Sequence, residues 1–241
     1  MSTSDESSPS NPARRRLFQA AGAAGITTAL PLGSAKAQPG AAPAQAYVFF
    51  NPAEAAFVEA AVARLIPRDE AGPGALEAGV PNYIDKQLAG AWGTGERLYR
   101  SGPWQPGAPT QGYQLPFTPA ELFRIAIRAI NQENPRFAKL AAKEQDTYLD
   151  ALQKSKEDFG GVPSNVFFES LLAVTIEGFF ADPVYGGNRD MVAWKMIGFP
   201  GAYADYYEYV DKHNVVYTAP PTSLAQDASG RIHVHVLRKG K

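Results

Sequence analysis

Apolar residues return at intervals of three and four along most of the chain between residues 51 and 197, the spacing that gathers them on one face of an α-helix. The first run opens at Asn51-Pro52-Ala53-Glu54, where Asn51 can cap, Pro52 suits a first turn and Glu54 can reach back to the Asn51 N–H. It carries Phe57, Val58, Ala61, Val62 and Leu65 on one side and stops at Pro67. A short helix is predicted near Pro81 to Leu88, with Tyr83, Ile84 and Leu88 inward. Thr118-Pro119-Ala120-Glu121 repeats the capping pattern and opens a helix whose inward positions read as Leu122, Ile125, Ala126 and Ala129. Asn134-Pro135 restarts the chain with Phe137 and Leu140, and Tyr148, Leu149 and Leu152 line the next face. Val166 to Phe180 is apolar around most of its circumference, which predicts a helix through the middle of the protein. The pattern is that of a mainly α, irregular single domain with long Pro/Gly/aromatic loops.

The stretch from Glu177 to Gly201, EGFFADPVYGGNRDMVAWKMIGFPG, holds five glycines, two prolines and five aromatics. Pro183 ends the long helix because its ring pushes Asp182 out of the α region, and Asp182 is expected to cap the turn. Gly186-Gly187 permits positive φ, and Asn188 or Asp190 can accept from the free N–H groups of a second helix. That helix is expected to place Met191, Trp194 and Ile197 on one side and to stop at Gly198.

This segment closely resembles the signature of the gluconate 2-dehydrogenase subunit 3 family, the small subunit of membrane-bound, flavin-dependent sugar and sugar-acid dehydrogenases. A second stretch, LIPRDEAGPGALEAGVPNYID from Leu65 to Asp85, looks like the N-terminal block of that family. The resemblance implies an accessory subunit with no catalytic site of its own. It implies as partners a glucose-methanol-choline-type large subunit that holds FAD and a cytochrome c subunit that holds haem. It also implies that this chain helps export, mature and stabilise the large subunit.

Composition narrows the chemistry. The 241 residues include no cysteine and three histidines, with a net charge of −1. That excludes a disulfide framework, a thiol nucleophile and thioether-bound haem, and gives no field for nucleic acid. No Gly-rich dinucleotide fingerprint follows a predicted strand, so no cofactor site is expected on this chain. The N-terminus reads as a twin-arginine export signal over residues 1–37. Arg15 and Arg16 form the pair, Phe18 is the apolar position, and Ala35-Lys36-Ala37 fits a cleavage site before Gln38. The apolar run Ala20 to Leu32 falls short of the roughly 20 residues of a membrane span. The expected organisation is therefore this leader, a flexible lead-in over 38–50, the helical domain over 51–218 and a tail over 219–241. The expected location is the periplasm, with membrane association through the complex.

Several groups of residues carry the remaining candidate functions. Asp182, Tyr185, Gly186, Gly187 and Asn188, together with Trp92, Trp104 and Tyr113, are candidates for contact with a partner subunit, since interfaces draw on aromatic anchors. The aromatics Trp92, Tyr99, Trp104, Tyr113 and Phe117, set among prolines and glycines, could instead stack on sugar rings as a carbohydrate-binding module, or pin the loop to its own core. Glu177 and Asp182 could form an acid–base pair of a free-standing enzyme; the structural alternative has Glu177 facing solvent or meeting Arg189 or Lys195. The loop Arg68 to Gly79 reads as a structured turn, because Asp69, Glu70 and Glu77 lack the spacing of a calcium loop. Tyr203, Tyr206, Tyr207 and Tyr209 read as a helical cluster. Near the C-terminus Ile232, Val234 and Val236 alternate with His233 and His235, which suggests a short strand that could add to a partner's edge.

Overall fold

A computed structural model describes residues 46–105, 107, 108, 111, 114–203 and 206–224. The leader residues Arg15, Arg16, Phe18, Ala35 and Ala37, the loop residue Tyr113, and the Ile232 to Val236 alternation with its two histidines lie outside the described residues.

The described residues form seven α-helices and no strand: α1 (Pro52–Leu65), α2 (Val80–Ala89), α3 (Ala91–Thr94), α4 (Pro119–Glu133), α5 (Ala142–Lys154), α6 (Ser164–Phe180) and α7 (Val192–Ile197). The fold is mainly α, as the apolar spacing predicts. Two helix starts are built as their sequences require. Asn51 Oδ1 accepts from the Ala53 and Glu54 N–H groups at 3.0 Å, and Glu54 Oε2 accepts from the Asn51 N–H at 3.0 Å. Thr118 and Glu121 make the same reciprocal pair at the head of α4. Each box satisfies N–H groups that a helix start leaves free.

Helix α6 packs against α1, α2, α4 and α5. At its centre Phe57 meets Phe137 at 5.0 Å between ring centroids, and Phe123 meets Phe167 edge-on at 5.5 Å. All four rings are buried, each worth about 1.5–3 kcal/mol of transfer free energy. On α4 the buried face is Leu122, Phe123, Ala126, Ile127 and Ile130, whereas the expected Ile125 and Ala129 are only half-buried. The helix touches α1 and α2 as well as α3 and α6, so its apolar face is wider than one stripe and is turned towards Phe123.

Two boundaries differ from expectation. The last residues of the 38–50 segment are held in place: a single Asp85 carboxylate on α2 accepts from the N–H groups of Val48, Phe49 and Phe50 at 2.7, 2.8 and 2.9 Å. Asp85 is itself buried, and Phe50 packs into the core. Arg124 lies over the Phe49 ring at 4.1 Å, donates to the Phe49 carbonyl and bonds Glu54. The Tyr47 hydroxyl donates to Glu59 at 2.6 Å, and burial together with that carboxylate raises the phenol above its usual range. Composition could not show this order, because the clamp comes from a residue thirty-five positions away. At the other end, residues 219–224 belong to the body. Thr222 pairs with Pro200 and Ala202 through backbone hydrogen bonds, Ser223 is buried, and the Leu224 N–H donates to Asp182 Oδ2 at 2.8 Å.

The tyrosine cluster is not helical. Only Tyr207–Tyr209 forms a single 3-10 turn, and Tyr203, Tyr206 and Tyr209 gather edge-on around Tyr217.

Candidate partner-binding platform

Pro183 ends α6 as expected. Asp182 Oδ1 accepts from the Val184 N–H at 2.9 Å, which sets a 3-10 turn over Pro183–Tyr185. Gly186 then takes φ +97°, a left-handed conformation that glycine adopts without the usual penalty. Gly187 has ordinary φ but no room: a Cβ there would overlap the Gly178 carbonyl of α6. Its glycine is required by close approach rather than by dihedral angle.

Asn188 fastens the loop with all of its polar groups. Its N–H donates to the Gly178 carbonyl at 3.0 Å, its Nδ2 donates to the Ala181 carbonyl at 3.0 Å, and its Oδ1 accepts from the Ala193 N–H at 2.9 Å. The last bond caps α7, so of the two expected acceptors Asn188 does the work. Asn188, Asp190 and Met191 all have positive φ, a cost of about 1–3 kcal/mol each. That strain persists because Asn188 and Met191 are buried and hold the loop from both sides. Trp194 is buried as expected, with Nε1 donating to the Phe180 carbonyl at 2.8 Å and its ring edge-on to Phe199. Ile197 is 57% exposed. Met191 is left-handed and precedes α7, so the spacing from Met191 to Ile197 does not trace one helical face.

The Leu65 to Asp85 block and the Glu177 to Gly201 block meet in space. Asn82 Nδ2 donates to the Gly186 carbonyl at 2.7 Å, and the Arg189 N–H donates to the Ala78 carbonyl at 2.9 Å. The Tyr83 ring packs on Gly178, where a Cβ would fall 2.7 Å from it. Burial first, and then the carboxylate of Glu177, pushes the Tyr83 phenol up to about 12. Glu177 is exposed, as the solvent-facing alternative expects, and its carboxylate also meets Tyr83, while Asp182 is occupied by Val184 and Leu224.

On this braced frame Val184, Tyr185, Met196, Ile197 and Phe199 stand exposed, with Ile176 and Phe180 at the end of α6. Of the five loop candidates for partner contact, Gly187 and Asn188 are buried and hold the platform, while Asp182, Tyr185 and Gly186 reach its surface. Trp92 is 41% exposed and edge-on to Phe123, whereas Trp104 is half-buried beside an open cleft along α6. These two aromatics line hollows beside α6 rather than the platform loop. Sequence reasoning missed Asp85, Asn82, Ala78 and Gly178. The first three sit within the Leu65 to Asp85 block, but nothing in that block says what they bond.

Among the described residues no group of three or more His, Asp or Glu side chains is placed to hold a metal ion, and no helix is long and apolar enough to cross a membrane. Fold and platform together define a small helical body that displays apolar side chains on a rigid loop, the character of a subunit. The family model described as gluconate 2-dehydrogenase subunit 3 matches residues 52–201, and the chain belongs to that family. Membership makes it part of a multi-subunit dehydrogenase complex. No curated protein and no solved structure matches the chain.

Proposed function

We propose that this chain is the non-catalytic small subunit of a periplasmic flavin-dependent dehydrogenase acting on a sugar, polyol or sugar acid. Its twin-arginine leader carries the large subunit through the export machinery, and its folded body holds that subunit and aids its maturation. The observation that carries the reading is the platform: strained backbone fixed by Asn188 and by the Gly178–Gly187 approach, used to hold Tyr185 and its apolar neighbours outward. Preorganised side chains of this kind lose little entropy on binding, which favours a partner contact. The two acids that could have formed a catalytic pair are engaged in the fold, Asp182 by two backbone N–H groups and Glu177 by Tyr83. With no cysteine in the sequence there is no thioether attachment for a c-type haem. The reading therefore assigns FAD to the glucose-methanol-choline-type large subunit and haem to the cytochrome c subunit.

The test is co-expression of this chain with its large flavoprotein. Replacing Arg15 and Arg16 with Lys should leave both subunits in the cytoplasm, and deleting this chain should strand the flavoprotein there. A large subunit that reaches the periplasm with full flavin in either case would overturn the proposal. Glu177→Gln and Asp182→Asn should leave turnover per bound flavin unchanged in the assembled complex.

A further inference from the structure

The cleft along α6 is built from residues that the platform loop does not use. Its main volume is about 910 Å³, within the roughly 300–1,000 Å³ of small-molecule sites. It shares Trp104, Leu115 and Pro116 with a second cavity of about 150 Å³, and Ser170 and Ala173 with a third of about 210 Å³ that reaches Trp92. The floor is the outer stripe of α6, with Asn165, Glu169 and Ala173 about one turn apart and Ser170 beside Glu169, and Trp104, Gln105 and Leu115 line the other side.

Of the polar side chains that line this cleft, Ser170 and Gln114 bond backbone carbonyls of the protein itself, at Val166 and Gln111, and the others do not. The Asn165 Oδ1 atom is buried and has no hydrogen-bond partner, a state that costs about 1–3 kcal/mol and calls for an explanation. Among the described residues, the side chains of Gln105, Lys156 and Glu169 take part in no hydrogen bond or ion pair that holds the fold. Together they supply amide, ammonium and carboxylate groups to a cleft that an indole ring also lines, both donors and acceptors with a flat apolar surface. A sugar hydroxyl is at once donor and acceptor, and the C–H face of a pyranose ring stacks on an indole. Lys156 and Glu169 cancel in charge, so the match is to an uncharged ring rather than to an anion or a cation.

We propose that this cleft is a binding site for a neutral saccharide, with Trp104 as the stacking surface and Gln105, Lys156, Asn165 and Glu169 as the hydroxyl partners. None of its lining residues belongs to the platform that the accessory reading uses. A saccharide held there would stand beside the enzyme that consumes this class of molecule.

Titrating the full mature chain with cellobiose and with glucose, followed by tryptophan fluorescence and calorimetry, tests the site. Cellobiose should bind saturably with a dissociation constant of about 1 mM or below, and sodium gluconate should bind at least tenfold more weakly. Trp104→Ala should weaken cellobiose at least tenfold, and Asn165→Ala and Glu169→Gln severalfold, all with unchanged melting temperature. Trp194→Phe should leave binding intact. The proposal is overturned by any of three results: no saturable binding of either sugar, variants that bind as wild type, or a Trp104→Ala chain that no longer co-purifies with the large subunit. The last would make the cleft a protein contact. Binding to the free chain that vanishes in the assembled complex would likewise overturn it. Loss of the sugar site with assembly intact leaves the accessory reading untouched, so the two fail separately.

Discussion

Gly187 has its α-carbon against the peptide of Gly178, nine positions back on α6, so closely that the Gly178 carbonyl fills the space a side chain would need. Gly187→Ala should therefore cost about 1–3 kcal/mol from overpacking, and more if the Asn188 to Gly178 hydrogen bond is lost with it. Gly198 gives the contrast: it has φ +70°, and nothing lies within 4 Å of where a methyl group would sit. Gly198→Ala should thus cost only the left-handed penalty of about 1–2 kcal/mol. Thermal melts of both variants would decide it, and a Gly187→Ala chain as stable as wild type would show that the Gly178 carbonyl leaves room for a methyl group.

Trp194 and Tyr185 should behave as opposites. Trp194 is buried and hydrogen-bonded to Phe180, so Trp194→Ala should cost about 3–5 kcal/mol of folding stability. Tyr185 is 52% exposed, so Tyr185→Ala should leave the melting temperature of the isolated chain nearly unchanged. The same variant should weaken the complex by about 2 kcal/mol if the residue is an anchor. Co-purification with the large subunit at wild-type strength would remove Tyr185 from the interface.

Asp85 should govern the order of the segment before α1. Asp85→Ala strands the N–H groups of Val48, Phe49 and Phe50, each worth about 1–3 kcal/mol if left without a partner. Water can reach that edge once the clamp is gone. The expected signature is local, with amide hydrogen exchange at residues 48–50 rising far more than in the core of α6. Uniform acceleration across the chain would mean that Asp85 stabilises the whole fold instead.

Tyr83 should impose an alkaline limit on stability. Its phenol is held up to about 12 in the fold by burial and by Glu177, against an ordinary value of 10.0. The folded state thus prefers the protonated form, so this contribution is complete below pH 10 and is lost as the pH rises towards 12. Tyr83→Phe should flatten the stability profile over that interval while leaving neutral pH little changed. A phenolate titration in which every tyrosine ionises near 10 would refute the environment assigned to it.

The helix starts are open to reading because their chemistry is local: Asn51 with Glu54 and Thr118 with Glu121 satisfy one another within four residues. The stop at Pro183 and the cap at Asp182 are equally local. What sequence could not show depends on distant neighbours. The Asp85 clamp joins residues thirty-five apart, and Gly187 looks like any turn glycine until Gly178 is seen against it. The wider face of α4 and the exposure of Ile197 likewise follow from which elements pack nearby. Tyr185 is recognisable as an exposed turn residue, but Gly187 and Asn188 beside it are bracing, since burial cannot be read from polarity in a loop this tightly folded.

The bond from Asn82 to the Gly186 carbonyl joins positions 104 apart in the chain. Closing a loop of that length is entropically expensive and comes late in folding, after the local helices have formed. A chain that has emerged only as far as α5 has its helix caps and part of its core but no Gly186 to dock. The platform is thus a product of the finished chain, and a partner that recognises it is reading completion as well as shape.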